Sequence, residues 1–167
     1  EYQGVRLSLD AYLDKTRIPL KIDISTGDVI TPCEISFSYQ LMFENRTIPL
    51  LAYPPETVLA EKLETILSRG EANTRLRDFY DVYILQREDF VVTPDALRYA
   101  LLATCRTRGH EDLLHTYASI LNEVRQSGAM RAQWMKYQTD FDYAAGITWD
   151  TVLDTVETLC MKTLDDH

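Results

Sequence analysis

No apolar run in this sequence approaches the roughly 20 residues that a helix needs to cross a bilayer. Its three cysteines, Cys33, Cys105 and Cys160, are widely spaced and odd in number. They suggest neither a disulfide framework nor a Cys-x-x-Cys zinc site, and the cytoplasm is the expected compartment. No Walker-type glycine loop and no Gly-x-Ser-x-Gly elbow occurs, so the common signatures of P-loop hydrolysis and serine-hydrolase chemistry are missing. There is no internal repeat and no low-complexity linker. Positive charge is scarce: 17 Lys and Arg against 26 Asp and Glu leave a net charge of −9. Broad, non-specific nucleic-acid binding relies on basic surface to neutralise phosphates, and this balance argues against it. A focused basic site remains compatible, because Arg69, Arg75 and Arg77 cluster in one region and Arg106 and Arg108 in another. An acidic body with a basic cleft suits a nucleotide or an RNA end better than a long duplex.

What is present is an ordinary globular composition, 46% hydrophobic and 26% charged over 167 residues. A chain of this length can bury about 70% of its unfolded surface, enough for one good core or two small subdomains. Residues 4–13 alternate, with Val5, Leu7 and Leu9 on one face; Ile18, Leu20, Ile22 and Ile24 form a second apolar row after a turn at Asp14–Arg17. This pattern predicts a hairpin of half-buried strands, with Lys21, Asp23 and Ser25 on its polar face. Gly27-Asp28 closes a turn, Val29-Ile30 reads as a further strand, and Arg46 to Ala52 as another. Pro54-Pro55 then separates a β-rich portion, 1–53, from a helical portion, 54–167, since proline is well placed in a helix's first turn. Helices are expected from Pro54 to Arg69, Thr74 to Leu85, Thr93 to near Gly109, Glu111 to Gln126, Ala129 to Tyr137 and Thr148 to Leu164. The whole predicts an α+β chain.

Two consecutive helices carry charge beside apolar stripes. On the first, Thr57, Glu61, Glu64, Thr65 and Ser68 gather on one side of the wheel, whereas Lys62 aligns with Val58 and Ile66. On the second, Leu76, Phe79, Tyr80, Tyr83 and Ile84 form the apolar face; Asp78 lies opposite, flanked by Val82 and Leu85, and Asp81 has Leu85 at i+4. Half-buried charges need partners, because desolvation disfavours the ionised form. Two readings follow. Lys62 or Arg69 pairs with Asp78 or Asp81 as an internal staple, or these charges line a cleft for a phosphate or a metal-bound nucleotide. Periodicity does not separate them.

The string Leu59-Ala60-Glu61-Lys62-Leu63, then Arg69, then Arg77-Asp78-Phe79-Tyr80-Asp81-Val82, resembles the paired lysine and Arg-Asp-x-x-Asp motifs of the AbiEii/AbiGii toxin family. These are nucleotidyltransferase-like proteins of toxin–antitoxin, abortive-infection and phage-defence systems. Lys21-Ile22-Asp23 followed by Gly27-Asp28 is similar to that family's strand with its third carboxylate, and Trp134 through Val156 is similar to its closing helices. The resemblance spans about Lys21 to Leu164. It implies part of a nucleotidyltransferase-type sheet followed by an all-helical domain, and transfer of a nucleotidyl group from an NTP to an acceptor such as RNA or tRNA, with Mg²⁺ as cofactor. It further implies that Asp23 contributes to the metal site and that Lys62 contacts the triphosphate. Arg69 is then a second phosphate-binding candidate. Asp81 acts as a base or positions Lys62, while Asp78 and Arg77 fix their helix. A cognate antitoxin is the functionally linked partner.

The family's upstream Gly-Ser turn and Asp-x-Asp strand have no counterpart here, since Leu9-Asp10-Ala11 and Asp14-Lys15 do not fit them. The chain is therefore expected to be the C-terminal portion of a longer protein, opening inside a strand at Glu1 and inactive by itself. A non-catalytic nucleotide- or protein-binding module is the competing class. Arg108 and His115 also match the short Arg-x4–6-His pattern of the all-helical HEPN ribonucleases, although Gly109 interrupts it and the β-rich start is foreign to that class. Trp134 and Tyr137, three apart, read as helix-docking residues.

Overall fold

The computed structural model describes residues 4–87 and 92–165, so Glu1 lies outside the described residues. Four strands, β1 (Gly4–Leu13), β2 (Thr16–Ser25), β3 (Ile35–Gln40) and β4 (Thr47–Ala52), precede six helices. These are α1 (Pro55–Arg69), α2 (Leu76–Leu85), α3 (Pro94–Arg108), α4 (Leu113–Gln126), α5 (Gly128–Asp140) and α6 (Trp149–Leu164). The class is α+β. Among the described residues each strand pairs only with its hairpin neighbour, giving two separate two-stranded antiparallel sheets.

Register explains the first hairpin. Leu13 pairs with Thr16, so the turn is the two residues Asp14-Lys15, with Asp14 at a positive φ of 52°. Two-residue turns of this kind match the right-handed twist of the strands. Val5 then faces Ile24, Leu7 faces Ile22, and Leu9 faces Leu20. The apolar row predicted to be half-buried is instead open to solvent, with these six side chains 42–61% exposed. The same holds for Phe37, paired with Leu50 across β3 and β4. Val29-Ile30 is irregular rather than a strand. The Thr31 N–H donates to Thr57 Oγ1 (2.8 Å) and the Thr57 hydroxyl donates back to the Thr31 carbonyl (2.9 Å). This segment is thereby spent on the first turn of α1 and has no strand partner.

The core is helical. Leu59, Leu63 and Ile66 of α1, Phe79 and Val82 of α2, Leu97 and Leu101 of α3, Leu121 of α4, Trp134 of α5 and Val152, Leu153 and Val156 of α6 are all buried in one cluster. Full burial of one such side chain stabilises by about 1.5–3 kcal/mol. Phe79 and Trp149 meet at 5.0 Å between centroids, and Trp134 Nε1 donates to the Ile147 carbonyl at 2.8 Å, which satisfies its one polar atom. Trp134 is thus a docking residue, stacked on Tyr137. Proline begins α1 and α3, and Gly70 and Gly109, both at positive φ, end them. α1 lies centrally, packing on α2, α3 and α4, and so sets two neighbouring helix ends beside one of its faces.

Candidate functional site

Lys62, on the second turn of α1, points toward α2. Its Nζ lies 2.6 Å from Asp81 Oδ2 and donates to Asp78 Oδ1 at 3.2 Å. The sequence placed Asp78 opposite the apolar face, but it is buried, its side chain only 4% exposed. It is the deepest anion of the group. Arg75 Nε approaches the other Asp78 oxygen at 3.0 Å, although alignment is too poor for a hydrogen bond, so that contact is electrostatic. Arg77 reaches Asp81 only at 3.8 Å, from a largely exposed position. Three cations therefore meet two carboxylates here, a local positive excess in an acidic chain.

This cluster opens onto a cleft of about 1200 Å³ between α1, the end of α3 and the 25–29 segment. Lys62, Arg69, Arg75 and Asp78 line one side; Arg108 and His110 line the other; Asp28 and Tyr53 stand at the β-rich edge. An ammonium has three N–H donors. Lys62 spends one donor on Asp78 and faces the Asp81 charge with the rest of its ammonium. Lys62 thus staples the two helices, as the first reading of the charges expects, and it also lines the cleft.

Asp23 is elsewhere. It lies directly across from Arg6 in the hairpin and accepts both guanidinium bonds, at 2.5 and 2.9 Å. That bidentate pair, more than the burial that opposes it, holds its carboxyl below the usual range. Asp23 is not among the cleft-lining residues. The carboxylate that the Gly27-Asp28 turn does bring there is Asp28, which accepts from the Ser25 hydroxyl (2.7 Å) and the Tyr53 hydroxyl (3.2 Å). Arg69 lines the cleft and is exposed.

The pairing that forms the second half of the cleft is not visible in the sequence pattern. Glu64, on the wheel's polar side, is 2% exposed. Its Oε2 accepts from Arg108 Nη1, and its Oε1 lies 2.6 Å from His110 Nδ1. Arg108 also approaches Glu61 at 3.5 Å. Burial, then the Asp28 charge, pushes the Glu61 carboxyl above its ordinary value. Cys105 sits behind this group, and burial followed by the Glu64 charge drives its thiol up to about 12, which removes it as a nucleophile at neutral pH. Arg108 is thus engaged with α1, and the histidine that shares its carboxylate is His110, not His115, which is exposed on α4.

The chain combines a small β portion, a helical core and a cleft lined by four cations and four carboxylates, with Lys62 bonded to Asp78 at its wall. The family model described as nucleotidyl transferase AbiEii toxin, Type IV toxin–antitoxin system, matches residues 1–155, and the chain belongs to that family. No characterised protein and no solved structure matches it significantly. Membership implies an antitoxin as partner. Among the described residues no helix is long and apolar enough to cross a membrane.

Proposed function

We propose that this chain supplies the triphosphate-holding side of a site that transfers a nucleotidyl group from an NTP to an acceptor, with RNA, including tRNA, as the acceptor class. The observation that carries the reading is the Lys62 ammonium held between Asp78 and Asp81 at the rim of a cleft that also receives Arg69 and Arg75. Such a cation offsets charge on the phosphates, and its fixed position removes the entropy of finding them. Asp81 acts here by holding Lys62. Asp78 holds Lys62 and α2 together.

The Mg²⁺ that this chemistry uses is not matched by the donors at hand. Among the described residues no three His, Cys, Asp or Glu side chains converge as a cation cage, and both Asp23 oxygens are occupied by Arg6. Asp23 would serve a cation only after releasing Arg6. The same observation favours the second reading, in which the chain binds nucleotide without transferring it.

Titration of the chain with inorganic tripolyphosphate and with ATP tests the site. Replacing Lys62 by Ala strands buried Asp78 and endangers the fold, so Arg75→Ala, at an exposed side chain, is measured beside it. A charge-assisted hydrogen bond is worth about 1.5–3 kcal/mol, so each variant is expected to weaken binding about 10- to 100-fold. Unchanged affinity in a folded Arg75→Ala and a folded Lys62→Gln would refute the site. Magnesium-dependent incorporation of a nucleotide into RNA by this chain would decide for transfer over binding alone.

A further inference from the structure

The group formed by Glu64, Arg108 and His110 has no part in holding Lys62, yet it faces the same cleft. Glu64 is a buried carboxylate with each oxygen committed, one to the Arg108 guanidinium and the other to His110 Nδ1 at 2.6 Å. A carboxylate that already neutralises a guanidinium has only lone pairs to offer, so the hydrogen in the second bond belongs to Nδ1. A neutral imidazole then keeps its lone pair on Nε2. The ring is 45% exposed at the cleft wall while its Nδ1 edge is anchored to a carboxylate 3% exposed. The ring is oriented by a partner that cannot move far, and that partner favours the Nδ1–H tautomer.

Charge decides what this end can bind. Arg108 faces Glu64 and Glu61, so no positive excess is left there for a phosphate. A fixed lone pair beside one guanidinium and two carboxylates calls instead for a hydroxyl donor. We infer that His110 receives the acceptor's ribose hydroxyl through Nε2, with Glu64 as its positioning residue. This rests on the reading that the Lys62 end holds the triphosphate. In the reaction the hydroxyl oxygen bonds to the α-phosphorus as its proton passes to Nε2. The bond from that phosphorus to pyrophosphate breaks, and pyrophosphate leaves with the electron pair. The Glu64 carboxylate offsets the charge gained by the ring.

The test is imidazole ¹⁵N NMR on the whole chain, which has three histidines. In the free chain, His110 is expected as the Nδ1–H tautomer; the opposite tautomer overturns the inference. An adenylyl dinucleotide ending in ribose should shift Nε2 of His110, and the same dinucleotide ending in 2′,3′-dideoxyribose should not. His110→Phe should erase the preference for the ribose form, expected near tenfold, in a chain that still folds, its melting temperature lowered by the hydrogen bond that Glu64 loses. Equal responses to both ligands, or none, overturn the inference. Tripolyphosphate added in parallel separates the two failures. If it binds while His110 stays silent, only the hydroxyl assignment falls; if it does not bind, the Lys62 reading falls and takes this one with it.

Discussion

Asp78 shows how closely stability and binding are joined at this site. It is buried, and its charge is tolerable because Lys62 and Arg75 stand within 3.2 Å of it. Removing one partner of a buried ion pair costs about 3–5 kcal/mol, much of it from the charge left behind. Lys62 therefore carries structure whatever it binds, whereas Arg77, exposed and 3.8 Å from Asp81, carries little. Glu61 offers a cleaner measurement. Burial first, then Asp28, raises its folded pKa above the unfolded value. Between those two values the folded state binds more protons than the unfolded one, so this group's contribution falls as pH rises through the window. Glu61→Gln removes that penalty. Its melting temperature should exceed that of the parent chain at pH 7, and the difference should shrink toward pH 4. A variant less stable at pH 7 would show that the Arg108 and Lys62 attractions outweigh burial.

At the scale of elements, one side chain ties the β portion to α1. Thr57 Oγ1 both accepts from and donates to the Thr31 backbone, at a residue 1% exposed. Thr57→Val keeps the shape and leaves a buried N–H and carbonyl unpaired, at about 1–3 kcal/mol for an orphaned polar group. Amide exchange at Thr31 should quicken in this variant while the α3 and α6 amides stay protected. Equal loss of protection in the helices would mean that the tie is part of one cooperative unit. The helices themselves were largely legible, because Pro55, Pro94, Gly70 and Gly109 mark starts and stops by local chemistry. Strand β3 was not anticipated, although Ile35, Phe37 and Tyr39 alternate. The Lys62–Asp81 contact was legible because both residues lie on consecutive helices joined by a short turn. The wheel puts Glu64 on its polar side but does not show its burial, because its partner comes 44 residues later and a helical wheel holds no information about what packs against it. The four-residue turn expected at Asp14–Arg17 does not bring Asp23 opposite Arg6. A two-residue turn does.

For the whole molecule, burial is uneven. Every residue in the core cluster comes from the helical portion or its connections, whereas the apolar rows of both hairpins stay exposed. Contiguous exposed apolar surface of this kind marks an interaction site or an aggregation liability. The chain alone should bind a hydrophobic dye, and hydrogen exchange should divide it near Pro54, with β1 to β4 exchanging long before α1 and α6. Uniform protection from β1 to α6, with no dye bound, would show that something in the chain covers the hairpin faces.

Gly109 ends α3 in the left-handed region, at a φ of 69°, and the His110 N–H then returns to the Cys105 carbonyl at 2.8 Å. That reversal lets the last residue of a helix and the first residue beyond its glycine grip one carboxylate from the same side. A β-branched residue at 109 would meet strain of about 1–2 kcal/mol and swing one grip away from the other. The arrangement thus compresses into a pattern that can be sought in other chains: a helical glutamate two residues after the lysine, then Arg-Gly-His with its arginine 44 positions and its histidine 46 positions downstream. Where the glycine is replaced by anything but asparagine, the arginine and histidine should be found to vary independently.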